Sequence, residues 1–264
     1  MQLRNVVVLA AGLLVSGATF AGSVVPGFNA NTLARNDDGY TGLVDIGFDI
    51  NFFGNTYSQL YVNNNGNVTF NNPVSAYTPS GLSSLGAVFI APFFADVDTR
   101  YAGSPVTYGT GTFNGQDAFG VNWVDVSFYG SAPHTARNSF QLILVDRSDI
   151  SDGDFDIIFN YDSIQWEAGT ASGAGDNGLG GTAARAGWAS ASGEFYELPG
   201  SGVNGAFIDG GPNALAGMRY TTFEVRNGGI SAPIPAVPEP ETWAMLLAGL
   251  GIVGMSAKRR RRQG

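Results

Sequence analysis

Apolar and polar residues alternate along several stretches of the chain, and this alternation predicts β-strands. From Leu43 to Phe53 the apolar side chains fall on every second position, the period of a strand with one solvated face. Phe155 to Asp162 shows the same alternation after an Asp152-Gly153 turn. Residues 168–187 contain seven glycines and predict a loop. Because residues 22–237 show no helical period of useful length, the pattern favours an antiparallel β-sandwich or barrel.

Further strands are predicted in other surroundings. Tyr57 to Asn63 and Asn67 to Phe70 are joined through Asn65-Gly66, a strong hairpin signal. Gly86 to Phe94 is almost wholly apolar, as in a strand buried on both faces, and Pro92 indicates a bulge or an edge near its end. The remaining predicted strands are Asp117 to Tyr129, Ser139 to Asp146, and shorter ones around Phe195, Ala206 to Ile208 and Met218 to Val225.

The N-terminus carries the pattern of a secretory signal peptide. Met1 to Ala21 has a charged residue at Arg4, an apolar run from Val6 to Val15 and small residues ahead of Gly22. We therefore expect signal peptidase to cut between Ala21 and Gly22. The rest of the chain is then exported.

The C-terminus combines three features in a fixed order. Pro238-Glu239-Pro240 stays extended, because proline fixes φ and lacks a backbone donor. The uncharged run Thr242 to Ala257 predicts a transmembrane helix of about 24 Å, which is short of the roughly 30 Å hydrocarbon core. Five cations follow. Their long side chains can snorkel to the membrane surface, which makes up the missing length, and their positive charge keeps this end of the helix in the cytoplasm. These cations are Lys258, Arg259, Arg260, Arg261 and Arg262.

This arrangement resembles the PEP-CTERM sorting signal, which membrane-embedded exosortases of Gram-negative bacteria read. The resemblance implies an exosortase as partner, transient anchoring of a precursor in the inner membrane, and a mature form at the cell surface or outside the cell. An arginine run can also mark a nucleic-acid patch, but one directly behind an apolar span is far more often a topology signal. A permanent tail anchor that is never cleaved is the main alternative.

The net charge of the exported part, residues 22–237, limits the kinds of partner that it can bind. Its seven arginines against twenty carboxylates give a formal charge of −13, compared with −9 for the whole chain, and it has no lysine. Such a surface repels nucleic acid and anionic lipid and suits a secreted protein. The chain has no cysteine, which excludes disulfides, thiolate metal sites and cysteine nucleophiles. Stability must therefore come from a packed core.

Seven blocks, in this order, resemble the nidogen-like or NIDO domain. They are Tyr61 to Phe70, Ala91 to Arg100, Asn138 to Val145, Phe155 to Tyr161, Trp166, Ala186 to Trp188 and Glu197 to Ser201. The resemblance implies an all-β antiparallel sandwich and an extracellular, matrix-associated module, and it lends no catalytic residues. The expected organisation is a signal peptide at 1–21, a nidogen-like domain at 35–226, a Gly/Pro linker at 227–237, and the sorting signal at 238–264 with its helix at 242–257.

Local motifs for catalysis are missing from the sequence. His134 is the only histidine and lies in a predicted turn, and no G-x-S-x-G nucleophile elbow occurs. Two G-x-G-x-x-G matches, Gly173 to Gly178 and Gly249 to Gly254, fall in coil and in the membrane span, where neither opens a helix after a parallel strand. We expect no enzyme, no catalytic residue and no cofactor. A triad or carboxylate pair assembled in space stays open, and with it a secreted hydrolase of matrix polysaccharide.

Two groups of aspartates are candidates for calcium, which takes six to eight oxygen ligands. The first comprises Asp149, Asp152, Asp154 and Asp156. It lacks the EF-hand glycine and glutamate, so we favour a hairpin turn at Asp152-Gly153. In the second, strand alternation puts Asp96, Asp98 and Arg100 on one face. There we favour a structural ion pair, because Arg100 would fill the position of a metal, and no metal ligand is assigned.

The sequence thus predicts an exported β protein that acts by binding, with extracellular polysaccharide or a matrix protein as partner, as in cell adhesion or a biofilm. An exposed line of aromatic residues would suit such binding, and Trp123, Trp166, Trp188 and ten tyrosines are candidates. Asn67-Val68-Thr69 is a formal glycosylation sequon, which hairpin composition explains.

Overall fold

The computed structural model describes residues 24–101, 103–130, 134–216 and 221–231. The predicted cleavage site at Ala21 and Gly22 and the predicted sorting signal at 238–264, with its helix at 242–257, lie outside these residues. Within the described residues the chain forms fourteen β-strands and two short 3-10 helices. No helix among them is long and apolar enough to cross a membrane.

The strands form two antiparallel sheets. In chain order the elements are β1 (Asn31–Thr32), β2 (Val44–Phe52), β3 (Asn55–Asn63), β4 (Asn67–Thr69), η1 (Leu82–Leu85), β5 (Phe89–Phe94), β6 (Val97–Asp98), β7 (Thr107–Phe113), β8 (Gln116–Phe128), β9 (Asn138–Asp146), β10 (Phe155–Ser163), η2 (Thr170–Ser172), β11 (Arg185–Ala189), β12 (Phe195–Glu197), β13 (Thr221–Arg226) and β14 (Gly229–Ile230). The larger sheet has the order β1-β7-β8-β9-β10-β13-β14, with β6 paired to β8. The smaller sheet has the order β12-β11-β5-β4-β3-β2.

The two sheets pack face to face around one main apolar core. Leu60 and Phe93 of the smaller sheet lie in the same buried cluster as Phe119 and Leu142 of the larger sheet. Aromatic rings make close contacts between the sheets, as where the centroids of Phe93 and Phe140 lie 5.2 Å apart. Each such buried side chain contributes about 1.5–3 kcal/mol, which is how a chain without disulfides is stabilised. The predicted antiparallel β-sandwich is confirmed.

Most of the predicted strands are confirmed, with ends shifted by up to three residues. The Asp152-Gly153 turn joins β9 to β10, and Gly153 has φ +80°. Pro92 lies within β5 inside the smaller sheet, and the register between β5 and β11 shifts beside it. The proline therefore marks a bulge and not an edge.

Two predictions are wrong in detail. The glycine-rich loop ends earlier than expected, because β11 begins at Arg185. Ala206 to Ile208 forms a turn and not a strand. Ala206 and Phe207 are buried and Ile208 is partly buried. The backbone N–H groups of Gly205 and Phe207 donate to the buried Glu167 carboxylate, which holds this turn against the core.

Candidate functional site

The turn between β3 and β4, residues 64–66, is the centre of a set of buried polar contacts. Gly66 has φ +74°, and a Cβ at this position would overlap the carbonyl oxygen of Phe93. Only glycine allows the turn to approach β5 so closely. The Asn65-Gly66 signal in the sequence therefore marks a close backbone contact as well as a hairpin.

Asn64 is fully buried and uses its side chain to join two other segments. Its Nδ2 donates hydrogen bonds to the carbonyl oxygens of Asp37 and Val97. Its own carbonyl oxygen accepts a hydrogen bond from Trp123 Nε1 at 2.9 Å. The turn is thus bonded to two loops and to a core tryptophan, and each buried bond would be costly to leave unmade.

Asn65 is also buried and extends the same network. Its Oδ1 accepts a hydrogen bond from the Val97 backbone N–H at 2.9 Å. Its Nδ2 donates to Asp38 Oδ1 at 2.9 Å and to the Ala76 carbonyl oxygen at 3.2 Å. Two buried amides therefore hold together the loops that contain Asp38, Ala76 and Val97.

Three carboxylates meet beside these amides, and we name them the aspartate cluster: Asp37, Asp38 and Asp96. Each offers an oxygen that lies within 4.8 Å of the oxygens of the other two. Asp96 is only 1% exposed, and its Oδ2 has no hydrogen-bond partner in the described part of the chain. Asp37 Oδ1 is buried without a partner in the same way. Asp37 and Asp38 are half-buried, so the cluster is open to solvent on their side.

Arg100 neutralises only part of this charge. Its Nε and Nη2 lie 3.0 and 2.7 Å from the two carboxylate oxygens of Asp98, and Nη2 lies 3.0 Å from Asp37 Oδ2. The predicted ion pair of Asp98 with Arg100 is present. The grouping of Asp96, Asp98 and Arg100 on one face of a strand is wrong, because β6 comprises only Val97 and Asp98 and neither Asp96 nor Arg100 lies within it.

The electrostatics of the cluster follow from this arrangement. Burial first, and then the nearby charges of Asp37, Asp38 and Asp98, together raise the pKa of Asp96 to about 8, against the opposing effect of Arg100. Burial, followed by the charges of Asp98 and Asp38, raises the pKa of Asp37 to about 6. Like charges are therefore held close together with too few cations beside them.

The other aspartate group, near the β9–β10 turn, is bonded to other partners. Asp149 and Asp156 each accept a hydrogen bond from Arg147 at 3.0 Å, and Asp156 accepts another from Arg226 at 2.6 Å. Asp154 is buried and accepts a backbone N–H of the β13–β14 turn at 2.7 Å. These contacts support the interpretation of this segment as a turn with ion pairs.

The lone histidine is packed as a structural side chain. The rings of His134 and Phe128 are stacked with centroids 4.0 Å apart, and the His134 carbonyl oxygen accepts a hydrogen bond from Arg137. His134 Nε2 is buried and has no hydrogen-bond partner among the described residues. Gly173 to Gly178 lies in turns, without the strand before it and the helix after it that a dinucleotide loop requires.

The three tryptophans that are candidates for a binding surface are buried, and so is the asparagine of the sequon. Trp123 and Trp166 are fully buried and Trp188 is nearly so, and all three belong to the main core. The sequon residue Asn67 is fully buried, and its Oδ1 accepts a hydrogen bond from Asn63 at 2.7 Å. The tryptophans therefore offer no surface for a ligand.

Three tyrosines in the loops around the buried amides are exposed. Tyr40 is 48%, Tyr77 41% and Tyr101 65% exposed. Tyr40 follows the Asp37-Asp38-Gly39 loop, and Tyr77 follows Ala76, the acceptor of a hydrogen bond from Asn65. Tyr101 lies under the guanidinium of the preceding arginine at 5.3 Å. The three rings are thus carried by segments that the buried amides join.

The fold and this site define the class of the protein as an antiparallel β-sandwich domain whose loops are joined by buried amides. Residues 58–208 match the nidogen-like domain, and residues 236–262 match the PEP-CTERM protein-sorting motif. The chain belongs to the nidogen-like domain family. Its sorting motif marks it as an extracellular protein that is exported and sorted by an exosortase.

Curated relatives support this assignment. The chain is 38% identical to alpha-tectorin of Homo sapiens in an alignment of 198 residues that covers 66% of this chain and 9% of the relative. It is 28% identical to nidogen of Drosophila melanogaster in an alignment of 197 residues that covers 66% of this chain and 14% of the relative. The chain therefore spans well under a fifth of the length of these relatives. No solved structure matches it.

Proposed function

We propose that the exported protein binds a component of the extracellular matrix at the cell surface, an exopolysaccharide or a matrix protein of a biofilm. The observation that carries this proposal is the presence, in one chain, of a nidogen-like domain and a sorting motif for export. The relatives named alpha-tectorin and nidogen support a matrix-type module. The acidic charge of the exported part agrees with a binding partner other than nucleic acid or anionic lipid.

The surface that suits this function best carries Tyr40, Tyr77 and Tyr101. Tyrosine combines an apolar ring with a hydroxyl group, and it contributes contact area at a low cost in side-chain entropy. The segments that carry these rings are joined by buried hydrogen bonds of Asn64 and Asn65, so the backbone of the loops is ordered before a ligand arrives.

A binding screen tests the proposal. The purified 264-residue chain would be applied to arrays of exopolysaccharides and matrix proteins, beside a Tyr40→Ala/Tyr101→Ala double variant. We expect the wild type to bind a defined component and the double variant to lose at least tenfold in affinity. Phe195→Ala is the matched control, because Phe195 is an equally exposed ring on β12. If no component is bound, or if both variants bind equally weakly, the proposed surface is wrong.

A hydrolase of matrix polysaccharide is the competing function. The carboxylate spacing in the aspartate cluster is near the roughly 5 Å of retaining glycosidases, and a raised pKa is typical of a general acid. However, a general acid must touch the glycosidic oxygen, and Asp96 is only 1% exposed. We expect no turnover on polysaccharide, ester and peptide substrates. Turnover that is abolished by Asp38→Asn would establish the hydrolase instead.

A further inference from the structure

We propose that the aspartate cluster binds a divalent metal ion, with calcium preferred, and that Asp37, Asp38 and Asp96 supply its carboxylate ligands. Three carboxylate oxygens within 4.8 Å of one another match the spacing around calcium, whose bonds to oxygen are about 2.3–2.6 Å long. Magnesium bonds are about 2.0–2.1 Å long and require near-octahedral geometry, which carboxylates from separate loops provide less readily.

The second observation that points to an ion is the unsatisfied oxygen of Asp96. A buried carboxylate oxygen normally accepts a hydrogen bond, but Asp96 Oδ2 has no partner in the described residues, and neither does Asp37 Oδ1. Gly169 packs against Asp96 Oδ2. Any Cβ at position 169 would overlap this oxygen, so position 169 supplies no side-chain hydrogen bond to it. A bound cation would compensate the charge of these buried carboxylates.

Asp98 is bonded to Arg100 through both of its oxygens, whereas Asp37 contacts Arg100 through Oδ2 and keeps Oδ1 without a partner among the described residues. Asp98 receives the Arg100 backbone N–H at 2.8 Å as well as the two guanidinium contacts, so its oxygens are fully engaged. Asp38 is oriented by Asn65 Nδ2 at 2.9 Å, an outer contact of the kind that positions metal ligands. Entry is open from the side of Asp37 and Asp38, which are half-buried.

An ion at this position would link two segments that are far apart in sequence, the loop with Asp37 and Asp38 and the loop with Asp96. In the described residues these loops are joined by hydrogen bonds between Asn36 and Thr99 and by the amide of Asn64. Because the ion binds the folded chain and not the unfolded one, it stabilises by mass action. This effect is independent of matrix binding, so its test does not depend on the proposed function.

The test is thermal unfolding of the chelator-treated 264-residue chain with and without about 1 mM calcium or magnesium, together with calorimetric titration of calcium. For a site of about 0.1 mM affinity we expect calcium to raise the melting temperature by roughly 4 °C, and magnesium by less than half of that. Asp96→Asn should abolish the calcium shift and lower the calcium affinity at least tenfold. Asp38→Asn, on the solvent side, is the second variant and decides the matter if Asp96→Asn fails to fold.

Asp152→Asn is the matched control, because it removes one charge from an exposed turn elsewhere and should keep the full calcium shift. The proposal is overturned if the wild-type chain shows no calcium shift. It is equally overturned if calcium and magnesium act alike and the shift persists in Asp38→Asn and Asp96→Asn, since the effect would then come from the general acidic charge.

Discussion

Asn64, Asn65 and Asp96 show how single buried polar groups shape this part of the molecule. The two amides make hydrogen bonds to three loops, whereas Asp96 is buried beside two other carboxylates and its Oδ2 has no partner in the part of the chain that the structure describes. Neither fact follows from local sequence. The aspartates at 37 and 38 are almost sixty positions from Asp96, and only the folded chain brings them together.

Asp96 should make the stability of the metal-free protein depend on pH. Its pKa is raised from 3.8 to about 8, so between these values the folded state holds a proton that the unfolded state has lost. The stabilisation is therefore present at low pH and is lost as the pH rises through this range. In chelator, Asp96→Asn should flatten the fall in melting temperature from about pH 5 to about pH 8. Asp152→Asn should keep the wild-type slope, and an unchanged slope in Asp96→Asn would contradict the assignment.

At the scale of the elements, alternation predicts the long strands well because one face of each meets the core. It does not predict β7, because Thr107 to Phe113 has too few apolar residues to show a period. The Asn114-Gly115 turn that joins β7 to β8 is nevertheless a hairpin signal. The turn at Ala206 to Ile208 is mistaken for a strand for the opposite reason. Its residues are apolar because they cover the core. The Phe207 backbone N–H donates a hydrogen bond to the Glu167 carboxylate and not to a neighbouring strand.

The candidate site is only partly predictable at this scale. The Asn65-Gly66 signal locates the β3–β4 turn correctly. Alternation wrongly groups Asp96 with Arg100, because it assumes a strand longer than the two residues of β6. The contacts that form the site run between loops, and loop conformation depends on tertiary hydrogen bonds that no short pattern records.

Gly66→Ala tests the close approach of the turn to β5. Alanine would have to adopt φ +74° and would also overlap the Phe93 carbonyl oxygen, so we expect a loss of more than about 3 kcal/mol in the free energy of unfolding. Gly54→Ala is the matched control, with φ +79° but nothing within 4 Å, and should cost only about 1 kcal/mol. Urea unfolding of both variants measures the difference. Equal losses would show that the turn does not press on β5.

At the scale of the whole molecule, a sandwich stabilised by its core is followed by a signal that determines where the protein works. β14 (Gly229–Ile230) pairs with β13 and so lies within the stretch predicted as a linker, and the sorting match at residues 236–262 begins six residues after β14. An enzyme in the membrane could act at this match without unfolding the sandwich. The sequence alone predicts such a signal, because targeting signals are local and do not depend on tertiary contacts.

Two sets of substitutions in the C-terminal segment distinguish recognition by the exosortase from insertion into the membrane. Replacing Pro238 and Pro240 by alanine should leave the protein inserted but unprocessed, because the extended strip is what an exosortase would read. Replacing Arg259 to Arg262 by neutral residues should weaken the stop and let some chains pass through uncleaved. Mass spectrometry of the mature protein should find a C-terminus near Glu239. An intact Gly264 on the surface form would mean that the tail is a permanent anchor.

Partitioning of the protein in producing cultures tests the central claim, that the exported domain binds matrix. Cells expressing the wild type, Tyr40→Ala/Tyr101→Ala or Phe195→Ala would be separated into cells, extracellular matrix and medium, and the protein in each fraction quantified by mass spectrometry. We expect the wild type and Phe195→Ala to be enriched in the matrix, and the double tyrosine variant to move into the medium at an equal total amount. Wild-type protein that is free in the medium while matrix is abundant would contradict the account.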